Sequence, residues 1–145
     1  MIELKHVDMG NFDDVIGLTV AKEQETYVLP NVYSMAQAKV QPECEPLAVC
    51  VDGKPVGFLM YCLDRDDGEY WLYRLMVGAE HQGKGYGRAA MMLLLDQLRR
   101  DETHSKILLD VHKESTSAVK LYESMGFVFT GKVYGGSHVM ELVYR

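Results

Sequence analysis

The sequence predicts an α/β protein: a single mixed sheet with helices on both faces, in the order β-α-α-β-β-β-α-β-α-β-β. Three observations carry this. An apolar run, Tyr70 to Val77, leads into a glycine-rich turn and then into a helix-forming run, Ala89 to Arg100. The Tyr70–Val77 run is apolar on both faces (Trp71, Tyr73, Leu75, Val77 against Tyr70, Leu72, Met76), which places it mid-sheet. Two glycine turns, Asp52-Gly53 and Gly135-Gly136, each join a pair of strand-like stretches into a hairpin.

In chain order, Ile2 to Val7 alternates and reads as the first strand. Asn11 or Asp13 caps a short helix through Val20. Residues Ala21 to Pro30 are irregular, with a break at Pro30-Asn31, and Ser34 caps a second helix, Met35 to Lys39. Pro42 and Pro46 bracket a connector. Leu47–Val51 and Pro55–Leu63 are hairpin partners, and Asp64 to Gly68 turns the chain into Tyr70–Val77. The helix after the glycines sets Met91, Leu94, Leu95 and Leu98 on one face. Lys106–Val111 is a short buried strand, and Ser115 or Thr116 opens a last helix that faces inward with Ala118, Leu121, Tyr122 and Met125. Gly126 ends that helix in a left-handed conformation. Phe127–Tyr134 and Ser137–Tyr144 close the sheet.

The 145 residues suit one domain spanning the whole chain, 48% of them hydrophobic and 25% charged. No apolar run approaches the ~20 residues of a membrane span. Cys44, Cys50 and Cys62 are odd in number, lack CxxC spacing, and read as reduced core residues of a cytoplasmic protein. The net charge of −6 argues against nucleic-acid and anionic-membrane partners and suits a cationic small molecule. The five histidines have no ligand spacing, so no metal is expected.

The chemistry centres on Glu80-His81-Gln82-Gly83-Lys84-Gly85-Tyr86-Gly87-Arg88. Between strand and helix, such a turn aims unpartnered backbone N–H groups at an anion, and glycines let the anion approach. Gly78 to Lys84 has P-loop spacing, but Gly85 stands where a magnesium-holding Ser or Thr belongs. Gly85-x-Gly87-x-x-Ala90 fits a dinucleotide fingerprint, with Asp110 about where a ribose-binding acid is expected, but too few βα units follow. The third match is Gln82-x-x-Gly85-x-Gly87, and with it goes Ala118-x-x-Leu121-Tyr122-x-x-x-Gly126-Phe127. Together they resemble the pyrophosphate loop and fourth-helix motif of the GNAT family of N-acetyltransferases, and the element order resembles that fold over nearly the whole chain.

The resemblance implies a GNAT fold with a mostly antiparallel sheet and acetyl-CoA as co-substrate. It implies that the pantetheine arm pairs with the backbone of Leu75, Met76 and Val77, and that the pyrophosphate sits on the amides of Gln82, Gly83, Lys84, Gly85, Tyr86, Gly87 and Arg88. Ser115 stands where many members carry a cofactor-contacting Asn. Tyr122 is the implied general acid: a thiol leaving group of pKa ~8.5 can take a proton from a neighbouring phenol of pKa ~10. Tyr73 stands where polyamine-acetylating relatives carry a Glu, so the base is left among Glu23, Glu25, Glu69 and ordered water. The segment Glu23 to Ser34, with Glu25, Tyr27 and Tyr33, borders the acceptor channel by the same resemblance, with Glu69 and with Trp71 and Tyr73 of the central strand. Two acids beside aromatic rings suit a flexible polycation. Tyr27-Val28-x-Pro30-Asn31-x-x-Ser34 resembles bacterial spermine/spermidine acetyltransferases. The alternatives are another amine (a protein N-terminus or lysine, an aminoglycoside, an amino acid) or an acyl-CoA-binding module without turnover. The exposed closing hairpin is a candidate homodimer face.

Overall fold

Asp52 and Gly53 take φ values of 49° and 84°, the paired positive values of a type I′ turn, which matches the twist of the strands it joins. The computed structural model describes residues 1–145. It contains strands β1 (Ile2–His6), β2 (Cys44–Val51), β3 (Lys54–Leu63), β4 (Tyr70–Val77), β5 (Lys106–Val111), β6 (Val128–Tyr134) and β7 (Ser137–Val143). Its helices are α1 (Phe12–Gly17), α2 (Asn31–Val40), α3 (Tyr86–Leu98) and α4 (Thr116–Ser124), with 3₁₀ turns at Lys22–Gln24 and Ala79–His81. The seven strands lie in the order β1-β2-β3-β4-β5-β7-β6. Every neighbouring pair is antiparallel except β4 and β5. Those two are parallel because α3 crosses between them.

Strand alternation feeds two cores, one on each face. Leu47, Val49, Leu59, Leu72, Ile107 and Leu109 pack under Met91, Leu94, Leu95 and Leu98 of α3 and Tyr122 of α4. Ala48, Cys50, Phe58, Met60, Cys62 and Met76 pack under Val15 of α1 and Met35 and Ala38 of α2. Each fully buried large side chain, such as Phe58 or Leu94, contributes about 1.5–3 kcal/mol. The three cysteines are buried and unpaired, as their spacing suggests.

Several boundaries differ from the sequence reading. The second helix starts at Asn31, not Met35, because Pro30 at ψ 151° serves as its N-cap and the side chain that holds the entry is that of Asn31. Asn31 is buried and donates from Nδ2 to Val15 O at 2.9 Å. Ser34 therefore lies inside α2, buried, rather than capping it. Pro46 lies within β2 rather than in a connector. β1 pairs with β2 only from Leu47 onward, so at Pro46 the strand has a partner on one side, where a residue without an N–H is tolerated. α1 ends at Gly17, three residues before Val20. Asn11 does not cap it, since its side chain donates to His6 O at 3.0 Å and accepts from Asp8 N–H at 2.9 Å. α3 starts at Tyr86, not Ala89, because Gly85, at φ 81°, is its N-cap.

One irregularity sets up the site. Met60 pairs with Arg74 but Tyr61 pairs with Leu72, so Tyr73 is an extra residue in β4. Such a bulge puts two successive side chains on one face.

Candidate active site

β4 and β5 pair only at Tyr70–Ile107, Trp71–Leu108 and Leu72–Leu109. Beyond Leu72 the two strands separate, and the gap between them opens two adjoining cavities. One, of about 340 Å³, is lined on the α2 side by Glu25 to Leu29, Tyr73, Arg74, Asp110 and His112. The other, of about 280 Å³, is lined by Gln24, Met76, Val77, Gln82, Gly83, Gly85, Tyr86 and Gly87. Val28, Leu75, Ser115, Ala118 and Tyr122 line both.

The glycine turn forms one end of the second cavity. The first hydrogen bond of α3 runs from Ala89 N–H to Gly85 O at 3.0 Å, so the N–H groups of Tyr86, Gly87 and Arg88 have no intrahelical partner. Together with the helix dipole they favour an anion there. Gly83 and Gly85 have φ of 79° and 81°, and a Cβ on either would meet nothing within 4 Å. Gly87 differs: its Cβ would lie 3.6 Å from Leu121 and 3.7 Å from Val77, so it faces the packing between α3, α4 and β4. The Gln82 side chain is already engaged. Its Nε2 donates to Val77 O and to Gln24 Oε1, both at 2.9 Å, which pins the turn to the segment before α2. Arg88 donates from Nη1 to Ser124 Oγ at 2.6 Å and so braces α3 against α4. Lys84 is exposed.

Tyr122 is 8% exposed and stacks edge-on against Phe127 at 5.5 Å. The α4 spacing turns it inward with Ala118, and Phe127 N–H closes on Tyr122 O at 3.0 Å. Burial alone pushes its phenol above the ordinary range, so the hydroxyl keeps its proton. Ser115 is the N-cap residue of α4, and its side chain makes no capping bond.

The bulge decides the first cavity. Tyr73 and Arg74 both turn toward α2. Tyr73 accepts a hydrogen bond from Gln41 Nε2 at 3.1 Å and donates to Asp64 Oδ2 at 2.9 Å. Its phenol is raised, first by burial. Arg74 donates from Nη2 to Gln37 Oε1 at 2.8 Å and from Nη1 to Tyr73 O at 3.0 Å, with its guanidinium 5.8 Å from the Tyr33 ring. Burial lowers the Arg74 pKa, and its Nε is buried without a partner. No carboxylate lies within 4 Å of this cation.

The expected acceptor residues divide. Glu25, Tyr27 and Tyr73 line the first cavity. Glu23 is exposed outside both cavities, and Tyr33 is reached only through Arg74. Glu69 immediately precedes β4 and Trp71 lies on its paired part, before the strands separate. Glu69 faces Lys106 at 3.8 Å and Trp71 Nε1 donates to Asp67 Oδ2 at 2.8 Å. None of these four lines either cavity, unlike the expected channel wall. Leu75, Met76 and Val77 do lie past the split, on the free edge of β4. Gln24, Arg74, Asp110 and His112 also line the cavities, where the sequence reading did not place them. Asp110 and His112 alternate at the end of a strand, the pattern that puts both on one face.

Residues 12–127, from the start of α1 through Phe127 at the end of the α4 motif, match the acetyltransferase (GNAT) family. The chain belongs to that family and is an N-acetyltransferase. It is similar to the spermine/spermidine N(1)-acetyltransferase of Bacillus subtilis (strain 168), at 29% identity over 146 residues and 96% of each chain. It is also 29% identical over 126 residues to the aminoglycoside N(6')-acetyltransferase type 1 of Klebsiella pneumoniae, covering 79% of this chain and 59% of that one. In fold it is similar to the spermidine N-acetyltransferase of Vibrio cholerae, solved in complex with CoA and spermine. The TM-score is 0.76 at 20% identity, over 98% of this chain and 95% of that one.

Proposed function

We propose that the protein transfers the acetyl group of acetyl-CoA to a primary amine, by direct attack with both substrates bound, and that linear polyamines are its preferred acceptors. The observation that carries the transfer reading is Tyr122, whose inward side lines both cavities at the point where they meet. The amides of the glycine turn suit the pyrophosphate, and the free edge of β4 from Tyr73 to Val77 suits the pantetheine arm. A thioester carbonyl reaching the shared wall then lies beside Tyr122. The amine attacks that carbonyl, the C–S bond breaks, and the protonated phenol supplies a proton to the leaving sulfur.

The polyamine reading is supported by the similarity to spermine/spermidine acetyltransferase over 96% of each chain, by the net charge of −6, and by Glu25 and Asp110 on the acceptor wall. Arg74 favours a second reading, an acceptor amine that also bears a carboxylate, because a guanidinium on that wall opposes a polycation and attracts an anion.

A steady-state assay with acetyl-CoA and a panel of spermine, spermidine, simple monoamines, an aminoglycoside and an amino acid tests both. Spermine or spermidine is expected to give the highest kcat/KM, falling as salt rises because exposed charges are screened over ~8–10 Å. Polyamines no better than monoamines would remove the polyamine reading and leave the transferase reading standing.

A further inference from the structure

The acceptor cavity lacks an obvious base. An amine of ordinary pKa enters as an ammonium and must lose a proton before it attacks. Tyr73, at the strand position considered for that role, has its hydroxyl engaged by Gln41 and Asp64. Arg74 has no lone pair to offer, and Tyr122 keeps its proton for the sulfur. Glu25 and Asp110 are carboxylates on an open wall, suited to holding the ammonium in place.

Glu23 and Glu69 lie outside the cavity, and of the side chains that line it His112 is the one left with a ring nitrogen able to take a proton. It follows β5 directly, lines the same cavity as Tyr122, and rests its ring against Tyr27 at 5.4 Å. Its only hydrogen bond is made by its backbone carbonyl, to Ser115 N–H at 3.0 Å, and neither ring nitrogen is a buried orphan. An imidazole that lines the cavity with no hydrogen bond to either ring nitrogen, steadied by an aromatic ring and with an acid two residues away, has the arrangement of a general base.

We propose that His112 is the catalytic base, taking a proton from the acceptor ammonium while Asp110 and Glu25 hold its charge. The inference rests on the acetyl-transfer reading but not on which amine is acetylated. Two protons leave the nitrogen in all. The first passes to His112 and from there to water, which frees the lone pair that forms the N–C bond. The second leaves the tetrahedral adduct as the C–S bond breaks, and replaces the proton that Tyr122 gives to sulfur.

The test compares wild type with His112→Gln on ethylamine and on 2,2,2-trifluoroethylamine, which differ little in shape while the second is already neutral at the assay pH. For ethylamine, kcat/KM is expected to fall by ~10²–10⁴-fold, the usual contribution of a general base; for the fluorinated amine it should fall little. Imidazole added to His112→Gly should restore part of the ethylamine rate. Acetyl-CoA affinity, measured by calorimetry, should be the same in all three proteins, which separates a lost base from a misfolded chain. Equal losses on both amines with no rescue, or no loss on either, would overturn the role of His112 while leaving the transferase reading intact. Absence of turnover by wild type with every amine would overturn both.

Discussion

Tyr73 and Arg74, adjacent in sequence, point to the same face of the sheet and bond to side chains one helical turn apart, Gln41 at the C-cap of α2 and Gln37 within it. The bulge opposite Met60 and Tyr61 produces this. Its consequence is a guanidinium on the wall of the first cavity and a tyrosine hydroxyl engaged by Gln41 and Asp64.

Arg74→Met should therefore separate the two acceptor readings. Removing a like charge is expected to raise kcat/KM for spermine several-fold, whereas an acceptor that uses Arg74 for its carboxylate should lose about tenfold or more, the range of a lost charged hydrogen bond. Steady-state kinetics on spermine and on an amino acid, with circular dichroism to check the fold, decides the sign.

Tyr122→Phe should lower kcat by ~10²–10⁴-fold and leave the KM for acetyl-CoA nearly unchanged, the pattern of an interaction made only in the transition state. The Phe127 stack and the helix end remain, so the melting temperature should hardly move. A folded Tyr122→Phe enzyme with full kcat would make the residue structural.

Gly85, at the N-cap of α3, and Gly87, in its first turn, should behave differently. Gly85→Val places a branched side chain in open cavity space and forces a left-handed residue at φ 81°, which costs about 1–3 kcal/mol. Calorimetry should show weakened acetyl-CoA binding. Gly87→Val instead presses on Leu121 and Val77, so its main effect should be a lower melting temperature.

Glu25→Gln should raise the KM for spermine more than that for a monoamine, because Glu25 lines the acceptor cavity. Glu23→Gln should do neither. Equal effects from the two substitutions would point to the overall field of the protein rather than to a binding contact.

Alkaline pH should destabilise the fold through its thiols. Burial pushes Cys44 up to about 12, and Cys50 and Cys62 upward as well. A raised folded pKa means the stabilisation is complete below the unfolded value, near 9, and is lost as pH rises from there toward 12. Above pH ~9 the unfolded chain has released protons that the folded chain retains, so unfolding free energy should fall by up to about 1.4 kcal/mol per pH unit per buried thiol. Denaturant titrations from pH 7 to 10.5 should show this slope, and Cys44→Ala should flatten it.

Element order, the central strand, the glycine turn and the inward Tyr122 were legible in the sequence because each rests on local physics. Period-2 and period-3.6 patterns bury one face of a strand or helix. Asp52-Gly53 and Gly85 supply positive φ where a turn and a helix start require it. Ala118, Leu121, Tyr122 and Met125 fall on one side of α4 and its C-cap whatever lies against it. The acceptor wall was not legible, because it depends on where strands stop pairing. Strict alternation along β4 fails at Tyr73, and only the register with β3 places the extra residue there. Glu69 and Trp71 precede the point where β4 leaves β5, while Arg74 follows it, and nothing in their own sequence marks Leu72–Leu109 as the last rung. Glu25 lines the same cavity as Asp110 and His112 although it comes from a segment far away in the chain. Their juxtaposition is a property of the divided sheet, fixed by long-range pairing and by the packing of α3 and α4 beneath it.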